Sequence, residues 1–202
     1  MKKQKITPII FDLSEVYLKG LIGVEHYLEP VLKMEPKEIY SKLIGENFGK
    51  LMHGKITEDE YWQEIIKQNK FDTDIKHFKK AIRDNFAEIK WTREIIEELK
   101  NKGYKMGLLS VHAKEWVEHL EKKFDYHKLF HSTMYSFDIG ILKPDKRSYL
   151  LIMEKLKSKP GECLFIDDSE KNIIAAEELG INVVHFKNPE QLKKDLEKLN
   201  LL

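Results

Sequence analysis

Ile6-Thr7-Pro8-Ile9-Ile10-Phe11-Asp12 is an apolar run, rich in branched and aromatic side chains, that ends on a carboxylate. It is too short for a buried helix and suits a strand covered on both faces, as the strands of a parallel sheet are. Runs of the same kind recur at residues 104–109, 163–166 and 181–186, with a weaker fifth at 132–136. Between them the apolar spacing is helical. Residues 92–102 put Ile95, Ile96 and Leu99 on one stripe and stop at Gly103, where a helix end favours a left-handed residue. Residues 113–124, 145–157 and 170–179 repeat the pattern, and Asn188-Pro189 reads as an N-cap and first helical position before Leu192, Leu196 and Leu199. Strands alternating with helices at this spacing predict right-handed βαβ units and an α/β fold, a doubly wound, mainly parallel Rossmann-like sheet.

The segment 17–87 breaks the alternation, offering successive helical patterns and no convincing strand. Thr57 and Glu60 make a capping box ahead of Tyr61, Trp62, Ile65 and Ile66, and Phe78, Ile82 and Phe86 mark another helix. Inserted directly after the first strand, such a block sits above the carboxyl edge of the sheet, where open α/β folds bind ligands. The expected organisation is a core of residues 1–16 and 88–202 with an inserted helical cap of 17–87.

Composition narrows the classes of function. A chain of 202 residues with 42% hydrophobic side chains can bury a full core. With 35 Lys and Arg against 34 Asp and Glu, the net charge of +1 supplies no field that would gather nucleic acid or an anionic membrane. Any anion must be gripped locally. The single cysteine, Cys163, lies in an apolar run and reads as packing, and it excludes an internal disulfide. The basic opening Met1-Lys2-Lys3-Gln4-Lys5 looks like the start of a secretory signal, yet Asp12 cuts short the apolar stretch behind it. No run approaches the roughly 20 apolar residues that span a bilayer. A cytoplasmic protein is expected.

Asp12, Ser110, Lys143 and the pair Asp167-Asp168 each fall at the carboxyl end of a predicted strand or in the loop just after one. In a parallel sheet these ends share one edge, so the residues converge. Each alone has an ordinary reading: a turn or cap residue for Asp12 and Ser110, a solvated lysine before a helix, acids that begin a helix. Together they are a site. Three converging carboxylates repel and raise one another's pKa unless a cation neutralises them, and magnesium, a hard ion taking oxygen ligands, is the expected cofactor. Lys143 and the Ser110 hydroxyl would then hold a phosphoryl group between metal and nucleophile.

With these residues in place the sequence resembles the haloacid dehalogenase-like hydrolases, in the subgroup whose helical cap follows the first motif. Phe11-Asp12-Leu13-Ser14-Glu15-Val16 matches the nucleophile motif and Leu108-Leu109-Ser110 the second; Leu142-Lys143-Pro144-Asp145 is similar to the third, and Leu164-Phe165-Ile166-Asp167-Asp168-Ser169-Glu170-Lys171-Asn172 to the fourth. The resemblance implies a phosphoric monoester hydrolase in which Asp12 attacks phosphorus and water cleaves the aspartyl-phosphate. Asp168 would bind magnesium directly, with Asp167 helping through water and the backbone carbonyl of Ser14 as a further ligand, while Ser110 and Lys143 hold phosphoryl oxygens. The implied partner is a small phosphorylated metabolite, with neither nucleic acid nor membrane involved, and the chain is expected as a monomer or homodimer.

Two departures stand out. The family's phosphatases usually carry a second aspartate two residues after the nucleophile, as general acid and then base; here that residue is Ser14, whose hydroxyl cannot exchange a proton near neutrality. Neighbouring side chains of an extended strand point to opposite faces, so Glu15 is not expected to replace it. After Ser110 the chain has Val111-His112, and His112 is a candidate substrate contact or surrogate acid, set against an exposed loop or cap residue. The alternatives to a phosphatase are a catalytically impaired relative that binds a phosphorylated ligand or protein partner, and, ranked last, a metal-independent 2-haloacid dehalogenase.

Overall fold

The computed structural model describes residues 6–202; the basic opening, residues 1–5, lies outside them. Five strands form one sheet in the order β3-β2-β1-β4-β5, every neighbouring pair parallel. They are β1 (Ile9–Phe11), β2 (Met106–Ser110), β3 (Ser132–Tyr135), β4 (Leu164–Asp167) and β5 (Asn182–His185). All five predicted runs are strands, displaced by up to three residues at their starts. Pro8 has no N–H to give, so the ladder of β1 begins after it, although the Pro8 carbonyl still accepts the Leu164 N–H at 3.0 Å.

Alternation along the buried strands divides the core in two. Ile9, Phe11, Met106, Leu108, Leu164 and Ile166 face one hydrophobic cluster, and Ile10, Leu109 and Phe165 the other. Helices α6 (Thr92–Asn101), α7 (Lys114–Phe124) and α11 (Pro189–Lys198) bury Ile96, Leu120 and Leu192 in the first cluster. Helices α9 (Lys146–Lys155) and α10 (Glu170–Glu177) bury Ile152 and Ala176 in the second. The sheet is therefore covered on both sides. The short α8 (Ser136–Ile139) follows β3 directly. At Gly107 a Cβ would come within 2.6 Å of Leu156 Cδ1, so a larger residue there would make the Leu156 side chain shift where the end of α9 packs on β2.

Between β1 and α6 the chain forms α1 (Val24–Leu32), α2 (Pro36–Leu43), α3 (Glu46–Met52), α4 (Glu58–Asn69) and α5 (Ile75–Asn85). Thr57 and Glu60 make the expected capping box at the start of α4. Among the described residues this stretch contains no strand, only isolated bridges at Leu18. The two crossings to it run side by side, with Lys19 N–H donating to Ala87 O at 2.8 Å and Ile89 N–H to Tyr17 O at 2.8 Å. Cys163 is buried, as its apolar setting predicts, with Sγ 3.2 Å from Ser158 Oγ. No helix among the described residues is long and apolar enough to cross a membrane.

Candidate functional site

β1 lies at the centre of the sheet, and the chain order reverses across it, from β2 on one side to β4 on the other. This is the topological switch point at which doubly wound folds open a crevice beyond the strand ends. The register fixes what stands there. Phe11 pairs with Ile166, so Asp12 and Asp167 come level, and the Asp12 N–H continues the ladder to Ile166 O at 2.9 Å. Ser110 closes β2 on the opposite side of Asp12.

Lys143, from the loop after α8, enters this group fully buried. Its Nζ stands 2.9 Å from Asp12 Oδ1 and 2.6 Å from Asp167 Oδ2. Asp167 is held from every side: Ser169 N–H and Asn172 Nδ2 donate to Oδ1 at 2.8 and 2.9 Å, and Asn172 Nδ2 also lies 3.1 Å from Oδ2. Asp167 thus orients the lysine and has little capacity to spare, while Asp168 beside it is partly exposed. One carboxylate oxygen from each of Asp12, Asp167 and Asp168 lies within 4.8 Å of the others. Burial is the main force pushing the Asp12 carboxyl up to about 7, with Asp167 and Asp168 adding to it against the pull of Lys143. Burial likewise raises Asp168 above the ordinary carboxylate range. An all-oxygen donor set whose own lysine leaves it short of positive charge fits a hard divalent cation.

The Ser110 hydroxyl is buried, and its Oγ is one of two buried side-chain polar atoms among the described residues that lack a hydrogen-bond partner; the other is Thr92 Oγ1, for which we have no account. A buried hydroxyl costs free energy unless something bonds to it, so Ser110 has hydrogen-bonding capacity to spare at this edge of the sheet.

The residues after Asp12 turn where the sequence pattern expects extended chain. Glu15 has a left-handed backbone, with φ 59°, which breaks the alternation and brings Ser14 and Glu15 onto the same cavity. The expectation that Glu15 points away from the site is therefore corrected. Its Oε1 accepts the Gly20 N–H at 2.8 Å, and a Cβ at position 20 would crowd both Ser14 Oγ at 3.1 Å and Glu15 Oε1 at 3.3 Å. Burial raises the Glu15 carboxyl above its ordinary value. A lone glycine five residues downstream was the only local signal of this turn.

His112 lines the same cavity and is 2% exposed, so the exposed-loop alternative fails. Its Nδ1 accepts the Ala113 N–H at 3.1 Å, which assigns the ring proton to Nε2, and the ring packs edge-on against Trp116. Burial pushes its pKa down to about 4, so near neutrality His112 is a neutral donor and not a surrogate acid.

Two contacts across the helical segment have no signal in the sequence. Ser136 Oγ accepts the His112 N–H at 3.1 Å and donates to Met52 O at 2.6 Å, tying β3's end to α3. Glu58 on α4, 1% exposed, accepts the indole N–H of Trp62 at 3.1 Å and of Trp116 at 2.8 Å, and forms a two-point pair with Arg83 at 2.7 and 2.5 Å. Met52 and Trp116 both line the cavity beside Asp12.

The sequence profile of haloacid dehalogenase-like hydrolases matches residues 9–186. Flavin mononucleotide hydrolase 1 of Arabidopsis thaliana is 26% identical over 202 residues, spanning 99% of this chain and 80% of that protein. A phosphorylated carbohydrates phosphatase of Thermotoga maritima is 27% identical over 89% of this chain and 86% of its own length. In three dimensions the chain resembles a HAD family enzyme from Bacteroides thetaiotaomicron solved with magnesium and inorganic phosphate, with TM-score 0.76 and 23% identity over 91% of this chain and 95% of that one.

Proposed function

The chain belongs to the haloacid dehalogenase-like hydrolase family, and from that membership we propose a magnesium-dependent phosphatase of a small phosphorylated metabolite, working through an aspartyl-phosphate. The observation that carries the reading is the buried, unpartnered Ser110 hydroxyl at the same sheet edge as a lysine bonded to Asp12 and Asp167. Such a group of donors suits the oxygens of a phosphoryl group. The flavin mononucleotide hydrolase and carbohydrate phosphatase among the relatives support the same reaction class.

In this reading an Asp12 oxygen bonds to phosphorus as the bond to the leaving oxygen breaks. Water then cleaves the acyl phosphate, releasing inorganic phosphate and restoring the carboxylate. Lys143 and Ser110 hold phosphoryl oxygens, and Asp167, kept rigid by Asn172 and Ser169, holds Lys143. Magnesium, when bound by Asp12, Asp168 and the Ser14 carbonyl with Asp167 behind them, supplies the positive charge that lets a phosphate dianion approach the carboxylates. Residues 17–87 serve as the cap of a core made of 1–16 and 88–202, a division supported by the paired crossings at Leu18 and Glu88. The setting is cytoplasmic, with the chain a monomer or homodimer.

Ser14 leaves the departing oxygen without the usual acid, so good leaving groups are favoured; a missing positioned acid typically costs about 10²–10⁴ in rate. With magnesium, acetyl phosphate and p-nitrophenyl phosphate should turn over well ahead of a hexose 6-phosphate, and equal rates on all three would contradict the leaving-group argument. Asp12→Asn should abolish turnover. Ser14 also favours a second reading, a binder of phosphorylated ligands without turnover, which stands if a broad phosphatase screen gives no activity that Asp12→Asn removes.

A further inference from the structure

β5 is an edge strand beside β4, and a side chain at each of its ends reaches across to a carbonyl of the neighbouring chain. Asn182, where β5 starts, donates from Nδ2 to Gly161 O at 3.0 Å and to Cys163 O at 2.9 Å. His185, where it ends, stands level with Asp167 in the ladder, and its Nε2 lies 2.8 Å from the carbonyl oxygen of Asp168. A carbonyl can only accept, so Nε2 carries the ring proton. Lys187 Nζ lies beside the same ring, 3.1 Å from Nδ1 and 3.0 Å from Nε2, and Nδ1 is then the nitrogen whose lone pair is free for it.

Asp168 is one residue beyond β4. Main-chain pairing with β5 reaches Asp167, whose carbonyl accepts the Phe186 N–H at 2.9 Å; the next carbonyl, that of Asp168, meets the His185 ring instead. The chain then turns at Ser169 into α10. The two adjacent acids are thus held in different ways. Asp167 is gripped at its carboxylate, by Lys143, the Ser169 N–H and Asn172, whereas His185 grips Asp168 at its main chain. Because the peptide that follows a residue is planar, the direction of its carbonyl sets its own ψ, and with it the way Cβ leaves the chain. An oxygen of that side chain stands within 4.8 Å of one from Asp12 and one from Asp167.

We propose that His185 is a positioning residue for the metal: by holding the Asp168 carbonyl it aims the Asp168 carboxylate at the cation, and without that bond part of the binding free energy is lost to ordering the residue. This rests on the reading of Asp168 as a magnesium ligand and adds the residue that places it. His185 acts through the main chain of Asp168 and not as a ligand itself.

Titration calorimetry of the full chain with magnesium chloride tests it. Outer partners of metal ligands typically contribute about 10–100-fold in affinity, and a partner bonded to the main chain belongs at the lower end, so His185→Ala should raise the magnesium Kd about five- to tenfold. His185→Gln keeps a side-chain N–H donor and should recover part of the loss. His185→Leu, of similar bulk but without a donor, should weaken binding as alanine does and carries the test if the alanine variant does not fold. Asn182→Ala removes the comparable bond at the far end of the same strand pair, and it should lower Tm while leaving the Kd unchanged. If the donorless His185 variants bind magnesium as the parent does, if glutamine recovers nothing, or if Asn182→Ala weakens binding equally, His185 supports only the fold, and the reading of the metal site stands. If Asp168→Asn binds magnesium as well as the parent, Asp168 is not a ligand and both fall.

Discussion

Ser14 and His112 are the residues at which this chain parts from the pattern it resembles, and they act, with Glu15 beside them, through their surroundings. Ser14 supplies a hydroxyl where an acid would be useful, while the left-handed backbone at Glu15 turns a carboxylate toward the same cavity. His112 carries the clearest pH consequence. Burial holds its pKa near 4 against an ordinary 6.5, so as pH falls the unfolded chain takes up the proton first. The stability that this residue contributes is present above pH 6.5 and lost as pH drops from there toward 4, amounting to about 2 kcal/mol between pH 7.5 and 5. Urea unfolding at those two pH values should show the loss in the parent chain and a smaller one in His112→Gln; equal losses would mean that the ring is not held neutral by its setting. The placing of Asp12, Ser110, Asp167 and Asp168 at one edge was legible in the sequence because a strand end marks each locally, whereas Lys143 reaches that edge from beyond α8. The direction of Glu15 was not, because it depends on a backbone turn sealed by the Gly20 N–H five residues away.

At the scale of elements, the link between α4 and α7 is the feature that periodicity does not reveal. Glu58 is a charged residue in the first turn of α4, where the helix dipole gives a sufficient reason for an acid. Only the folded chain brings Trp116 and Arg83 to it. Glu58→Ala would leave the Arg83 guanidinium without its partner and two indole N–H groups unpaired, a loss of about 3–5 kcal/mol for a buried pair broken on one side. Replacing both Glu58 and Arg83 by methionine should recover much of that, since no charge is then stranded. Denaturant midpoints of the single and double variants check this, and a double variant as unstable as the single would show that the pair itself, not the stranded charge, is what matters. Strands and helices of the core were legible to within a few residues, since burial on two faces or one stripe is written in local spacing.

For the whole molecule, the crowding of acids at the sheet edge couples metal, proton and fold. With the Asp12 carboxyl raised to about 7 and Asp168 also raised, their ionisation costs stability as pH climbs through that range, and a divalent cation relieves the cost. Magnesium should therefore raise Tm more at pH 8 than at pH 5.5. A cation at about a hundred times its Kd contributes about 2.7 kcal/mol, or about 5–10 °C in a domain of this size. Differential scanning calorimetry with and without magnesium measures the shift; Asp168→Asn should remove most of it, and a shift independent of pH would separate the cation from these carboxylates. By itself the sequence determined the sheet, its parallel sense and the residues that end its strands, because each is encoded in a short window of apolar spacing and turn chemistry. Only the tertiary structure decided which way Glu15 turns, that Lys143 bridges Asp12 and Asp167, and that Glu58 and Ser136 join the helical segment to α7 and to the end of β3. Those contacts join residues brought together by closure of the chain, and no local pattern records which distant side chains will meet.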